Sequence, residues 1–312
     1  MSLFKNLFGR FTNFVVADNN KKIIAHSGSC HADDVFAVAV LGLWCKKQGY
    51  SYTIFRTRDE AEIATGDFVV DVGGIHDPSI CRFDHHQKGG AGVRENTVPY
   101  ASFGLVWKTY GTELAEDDEI AKRFDTQLIC AIDAGDNGVA VYKKLFDDIA
   151  VTDISAIVGM MRPTWQEEDT MDVVFLDLVT WAQTVITRKI AQIHAQVALE
   201  TLVKDAYEKS LDKRIVILDT HVQARFALIA YAEPLFVIGP RGDGTWSVYT
   251  IPVGFDSFES RKSFPRAWSA LRTDELRSIT GVSDALFCHK DCFLCAAGTK
   301  EGAIALAEKA LQ

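Results

Sequence analysis

The stretch from Asp67 to Gln87, DFVVDVGGIHDPSICRFDHHQ, constrains this chain more than any other, above all through the triplet Asp84-His85-His86. Phe68-Val69-Val70 is a short apolar run ending in Asp71, the pattern of a buried strand that delivers a carboxylate at its C-terminal tip. Gly73-Gly74 and Asp77-Pro78 then turn the chain. A second short run, Ile80 to Phe83, delivers carboxylate, imidazole and imidazole in succession. Successive residues of a strand face opposite ways, so the three converge on one spot only where the backbone bends. A core does not tolerate them unpaired.

Clusters of the same chemical type accompany the triplet. Lys22 to Ala25 reads as a first strand with His26 just past its tip, and the segment His26 to Asp34, HSGSCHADD, mixes turn residues with potential ligands. A mostly apolar helix follows, for which Asp33 or Asp34 suits the N-cap. Capping occupies one aspartate and leaves His26, His31 and the other aspartate unexplained. Tyr52 to Arg56 and Phe68 to Asp71 read as the next strands, and the alternation of strand and helix is expected to extend through Leu105-Val106-Trp107 and Ile120 to Ile132. This is the pattern of βαβ units on a parallel sheet, whose functional groups gather at the carboxyl ends of the strands. Gly89-Gly90-Ala91-Gly92 is either a loop that closes on substrate or plain surface. The apolar helix Phe124 to Ile132 runs into Asp133-Ala134-Gly135-Asp136-Asn137-Gly138, the natural source of one further carboxylate.

Residues 139–166 lose periodicity, and residues 167–210 form a long helical pattern without proline or glycine, as one helix or two with a bend. Arg214 to Leu218, Pro234 to Ile238, Trp246 to Ile251 and Ala285 to Cys288 read as strands, with a turn at Asp243-Gly244 and a final amphipathic helix from Lys300 to Leu311. The expected fold class is therefore α/β. It comprises an N-terminal parallel-sheet, metal-binding domain over 1–165, a linker helix or helices over 166–210, and a smaller mixed-sheet α/β domain over 211–312 that binds substrate.

A net charge of −9 and an isoelectric point near 5.4 argue against broad binding of long duplex nucleic acid, which needs basic surface. They leave room for a short nucleotide substrate whose charge is met by metal ions. Seven cysteines without a framework spacing indicate reduced thiols in an intracellular compartment. No apolar run reaches the roughly 18 to 20 residues of a membrane span, so no membrane partner is expected, and nothing in the sequence indicates an oligomer. The N-terminal MSLFKNLFGRFTNFVVA is basic and aromatic, as in a mitochondrial targeting peptide. Its scarcity of arginine and serine favours an irregular arm or a short helix. Cys288, His289, Cys292 and Cys295 suffice in number for zinc, but they fall in one expected hairpin around Phe293-Leu294, which reads as core. Arg261, Arg266 and His289 are better candidates for substrate-phosphate contacts.

The ligand candidates in order are His26, His31, Asp33, Asp71, Asp84, His85, His86 and Asp136, with Asp34 and Asp133 in reserve. Imidazoles and carboxylates without thiolate suit Mn²⁺, Zn²⁺ or Mg²⁺. They outnumber the ligands of one ion. Two ions roughly 4 Å apart on a bridging carboxylate would hold a hydroxide and stabilise in-line displacement at phosphorus, and a leftover histidine would protonate the leaving group or bind the scissile phosphate. A P-loop, a G-x-S-x-G elbow and HExxH are all missing.

These residues resemble the DHH phosphoesterase superfamily. The strings DVGG, FDHHQ, DAGDNG, FESRKSFPRAW and a late FCH resemble one branch, the melanocyte proliferating gene family, over most of the chain. Members of that branch, once labelled metal-dependent protein hydrolases, are 3′-to-5′ RNA exonucleases of nucleus and mitochondria. The resemblance implies a DHH-type N-terminal domain in an intracellular exonuclease acting on RNA or oligonucleotides. It also implies two divalent ions, Mn²⁺ first and Mg²⁺ or Zn²⁺ as alternatives. His26, His31 and Asp71 would hold one ion, and Asp33, Asp71, His85 and Asp136 the other. Asp84 would orient an imidazole and His86 would face the scissile phosphate. The chain departs from the common pattern at His31, where many relatives carry a carboxylate, and at Cys292 to Gly298, where related proteins tend to be glycine-rich.

Overall fold

The computed structural model describes residues 19–168 and 170–312. The N-terminal segment read as a targeting peptide or an arm lies outside them. The chain divides into two compact units, residues 1–193 and 194–312.

In the first unit the elements are β1 (Asn20–Ala25), α1 (Ala32–Lys47), β2 (Ser51–Arg56), α2 (Glu60–Ile63), β3 (Phe68–Val70), β4 (His76–Asp77) and β5 (Arg82–Phe83). Helices α3 (Ser102–Ala115), α4 (Asp118–Phe124), α5 (Cys130–Asp136) and α6 (Ile154–Met160) follow, and then α7 (Met171–Lys209). The sheet order is β2-β1-β3-β5-β4; its first four strands are parallel and β4 is antiparallel at the edge. Ile23, Ile24, Val69, Val70 and Phe83 are buried on both faces of this sheet, as in sheets covered by helices. Helix α1 is apolar almost all round from Val35 to Leu41 and accordingly lies in the core.

One local expectation is corrected. Leu105-Val106-Trp107 belongs to α3, so strand–helix alternation stops after β5; a short apolar run reads alike as buried helix or strand. The run Ile80 to Phe83 is half turn and half strand: Ile80 ends a 3-10 turn begun at Pro78, Cys81 is left-handed, and Arg82–Phe83 pair as β5. The apolar Phe124 to Ile132 stretch is helical but switches to a π-turn over Asp125–Ile129 between α4 and α5.

Helix α7 is one continuous element of 39 residues, and the division between the units falls inside it. The second unit carries β6 (Ile215–Ile217), β7 (Phe236–Pro240), β8 (Trp246–Thr250), α8 (Thr273–Thr280), β9 (Ala285–Cys288), β10 (Leu294–Ala297) and α9 (Lys300–Leu311). Its sheet order is β6-β7-β8-β10-β9, with β6 parallel to β7 and the remaining pairs antiparallel, the expected mixed sheet. Alternation along β7 divides the core: Phe236 and Ile238 pack toward α8 and α9, Val237 toward Val203 of α7. Among the described residues, no helix is long and apolar enough to cross a membrane.

Candidate metal centre

Each polar side chain of the N-terminal cluster is brought in by an element that ends or begins there. Strand β1 ends at Ala25 and hands over His26, whose Nδ1 lies 3.0 Å from the Ser27 carbonyl, leaving Nε2 to face inward. Strand β3 ends at Val70, and Asp71 adopts φ +57°, a left-handed conformation that aspartate tolerates better than branched residues. After β5, Asp84 anchors the triplet. It accepts hydrogen bonds from the Gly74 N–H (2.6 Å) and the His86 N–H (3.0 Å), and its Oδ1 lies 2.8 Å from His86 Nδ1. Gly74 makes its bond from a φ of +67°, a backbone region natural to glycine.

The N-cap of α1 is His31, not Asp33 or Asp34. Asp34 reaches back to accept from the His31 N–H (2.9 Å), while Asp33 projects into the cluster. Asp136 arrives from the last turn of α5. The bend expected of the triplet is present: Asp84 and His85 point inward, whereas the His86 side chain is 62% exposed at the rim.

The carboxylate of Asp71 spans the cluster. Its Oδ2 lies 3.3 Å from His26 Nε2, and its Oδ1 lies 3.3 Å from His85 Nε2 and 3.5 Å from His86 Nδ1. Around it, three groups of ligand atoms each converge within 4.8 Å: His26, His31 and Asp71; Asp71, His85 and His86; His31, Asp33 and Asp136. His85 Nε2 faces three carboxylates, at 3.1 Å (Asp136), 3.3 Å (Asp71) and 3.8 Å (Asp33), yet forms a hydrogen bond with none. Asp33 Oδ1 and Asp34 Oδ2 are likewise buried without a hydrogen-bond partner, although Asp34 Oδ2 is 2.9 Å from His26 Nε2.

Such orphaned atoms are costly in a protein interior. Lone pairs that aim at a common space rather than at one another are what a cation site requires, so the residues present fit divalent ions with nitrogen and oxygen ligands. In the metal-free chain the imidazoles stand in for that charge. Burial opposes the protonation of His26, but Asp34 and Asp71 raise it to about 10; burial opposes that of His85, but Asp136 and Asp71 raise it to about 10. Burial together with the neighbouring carboxylates of Asp71 and Asp136 pushes Asp33 well above its ordinary value. Asp71 stays below the usual carboxylate range in spite of burial, held there by His26, His85 and the Ser102 hydroxyl.

Several residues here carry no local sequence signal. Ser102 Oγ donates to Asp71 Oδ1 (2.8 Å), and the Ser102 N–H to Asp33 (3.3 Å). The Arg58 guanidinium lies 3.2 Å from His26 Nδ1. Asp133, a reserve ligand candidate, is not part of the cluster: it accepts from Arg94 Nη2 (2.8 Å) and the Gly104 N–H (3.2 Å), and Arg94 also holds Asp125. Asp34, the other reserve, stands beside His26.

In the second unit, the Arg261 guanidinium donates to the carbonyls of Tyr231, Ala232, Pro234 and Ile229, so its donors hold a loop and are not presented to a phosphate. Arg266 is exposed. His289 is partly buried, accepts from the Asp291 N–H (3.2 Å) and packs on Phe293. Cys288 and Cys295 face each other across β9 and β10, buried like Cys292. Among the described residues these thiols form no ligand group with His289.

Residues 22–311 match the family model MYG1_exonuc, described as "Uncharacterised protein family (UPF0160)". Two relatives are "MYG1 protein C27H6.8" of Caenorhabditis elegans and "MYG1 exonuclease" of Homo sapiens. The first is 30% identical over 92% of this chain and 94% of its own length, the second 28% over 93% and 85%. Among solved structures, RecJ of Thermus thermophilus in complex with Mn²⁺ aligns at 12% identity with a TM-score of 0.27. That alignment takes in 93% of this chain, which spans about half (52%) of the RecJ chain. At that score no residue correspondence follows.

Proposed function

Because the chain belongs to the MYG1 exonuclease family, we propose that it is a metal-dependent exonuclease that shortens single-stranded RNA or short oligonucleotides from the 3′ end. The observation that carries the reading is Asp71, a buried carboxylate with one oxygen in each half of a cluster in which Asp33 Oδ1, Asp34 Oδ2 and His85 Nε2 are buried without hydrogen-bond partners. His26, His31 and Asp71 hold one divalent ion in this reading, and Asp33, Asp71, His85 and Asp136 the other. Mn²⁺ is favoured by the mix of imidazole and carboxylate, with Mg²⁺ or Zn²⁺ as alternatives. When bound, the pair supplies positive charge, a hydroxide at neutral pH and polarisation of the phosphoryl oxygens.

The protein contributes the rest. Ser102 fixes the Asp71 carboxylate through Oδ1, and the Ser27 carbonyl orients the His26 ring through Nδ1. Asp84 holds His86 by Nδ1, so the nitrogen left for substrate is Nε2, at the exposed rim. There His86 faces the scissile phosphate and holds a proton for the departing oxygen.

The test is incubation of 5′-labelled single-stranded RNA with the full chain and Mn²⁺, alongside Asp71→Ala. A ladder shortening from the 3′ end, lost in the variant, is expected. Intact RNA, with phosphate released instead from pyrophosphate or a dinucleotide, would move the substrate to small phosphate compounds.

A further inference from the structure

The C-terminal unit contains a cavity of about 500 Å³ that the metal cluster does not use. Its lining includes the rings of Phe226, Tyr249 and Phe287 and the side chains of Arg225 and Arg241. The two arginines differ. Arg241 has a carboxylate neighbour, Asp243, at 3.5 Å. Arg225 makes no hydrogen bond or ion pair among the described residues, and its buried Nε has no partner. Its guanidinium is instead flanked by two rings, 5.1 Å from the Phe226 centroid and 5.4 Å from that of Phe293. Burial lowers its pKa from the ordinary value, the mark of a cation without a counter-charge. Beside it, Phe226 leaves 42% of its surface to solvent.

A half-buried guanidinium is costly unless an anion meets it, and it offers a planar fork to phosphate oxygens. The exposed Phe226 ring and the partly buried Tyr249 ring in the same lining suit a flat, π-rich group, since a nucleobase stacks on aromatic side chains whatever its sequence. The volume lies in the range of small-ligand sites. We propose that this cavity is a nucleotide-binding pocket, in which a base stacks on Phe226 and Tyr249 while its phosphate is held by Arg225. Two sources share that chemistry, a free mononucleotide and a nucleotide within a single strand. The strand arm rests on the exonuclease reading; the mononucleotide arm does not.

The experiment uses the full chain in EDTA, so that nothing is cleaved, and titrates AMP and a 5′-fluorescein-labelled hexa-adenylate into wild type, Arg225→Gln and Phe226→Ala. Neither side chain makes a hydrogen bond within the unit, so thermal melting should match wild type in both variants. Both variants are expected to weaken binding by about tenfold or more. A loss confined to AMP assigns the pocket to free nucleotide, and a loss confined to the oligomer assigns it to the strand. Wild type that binds neither probe, or variants that bind both as wild type does, would overturn the proposal. Failure of the exonuclease reading looks different: no 3′ ladder with Mn²⁺ from a wild type that still takes up AMP through Arg225.

Discussion

Two groups of buried carboxylates in the N-terminal unit are settled in opposite ways. Around Asp133, each carboxylate oxygen has a donor, Arg94 on one side and the Gly104 N–H on the other, and Arg94 also takes Asp125 in a two-pronged grip. Around Asp71, Asp33, Asp34 and His85 keep buried atoms unpartnered although opposite charges stand within 4 Å. Both groups meet the N-terminus of α3, which has no side-chain cap of its own and gives the Ser102 N–H to Asp33 and the Gly104 N–H to Asp133. The Asp133 group is complete as folded and serves the fold. The Asp71 group is complete only with added positive charge, and the proposed function rests on that contrast.

The largest expected effect separates the two groups by activity. Asp71→Asn should lower hydrolysis on the order of 10³-fold or more, because it removes the carboxylate common to both halves. The metal-free variant should melt below wild type, because the Asp71 carboxylate there pairs with the protonated His26 and His85. Unchanged turnover would remove Asp71 from the chemistry.

Arg94→Met should do the reverse. It leaves Asp133 buried without its cation, at a cost of about 3 kcal/mol in unfolding free energy, while Mn²⁺ binding below the melting point persists. Arg94→Met with Asp133→Leu should recover much of that loss. A double variant as unstable as the single one would deny that the pair is a self-contained structural device.

Gly104→Ala sharpens the same contrast with a smaller effect. A Cβ there would collide with the Asp133 carboxylate and the Arg94 guanidinium, so a destabilisation of about 1–3 kcal/mol is expected in chemical denaturation. An alanine variant as stable as wild type would mean that the grip on Asp133 is loose.

The smallest effect is a proton count. His26 and His85 stand at about 10 in the metal-free chain, raised from 6.5. Their contribution to metal-free stability is therefore complete below pH of about 6.5 and is lost as pH rises through about 10. An ion needs both imidazoles neutral, so binding at pH 7 should release about two protons or more, and affinity should rise with pH. Calorimetry in buffers of different ionisation heat reads this directly; heats independent of buffer would contradict it.

Much of this arrangement was legible in the sequence because it is written in local strings. Apolar runs marked β1, β2 and β3 to within two residues, and turn residues marked the bend that turns Asp84 and His85 inward. The misreadings have physical causes. Leu105-Val106-Trp107 is equally apolar in a buried helix, and only its packing decides. The cap of α1 fell to His31 because Asp33 is drawn into the cluster and Asp34 reaches back from the first turn. Ser102 and Arg94 act on partners 31 and 39 positions away, a distance no spacing rule spans. Arg261 looked like a phosphate ligand because residue type alone does not say whether a guanidinium's donors are already taken, and here a loop supplies four carbonyls that take them.

The central claim is that the buried cluster around Asp71 is a site for a pair of ions. Titrating the metal-free chain with Mn²⁺ and counting bound ions by electron paramagnetic resonance tests it most directly, with Asp71→Asn alongside. The account predicts two ions per chain, magnetically coupled, with the coupled pair lost in the variant. Fewer than one ion per chain, or the same coupled pair in Asp71→Asn, would contradict it.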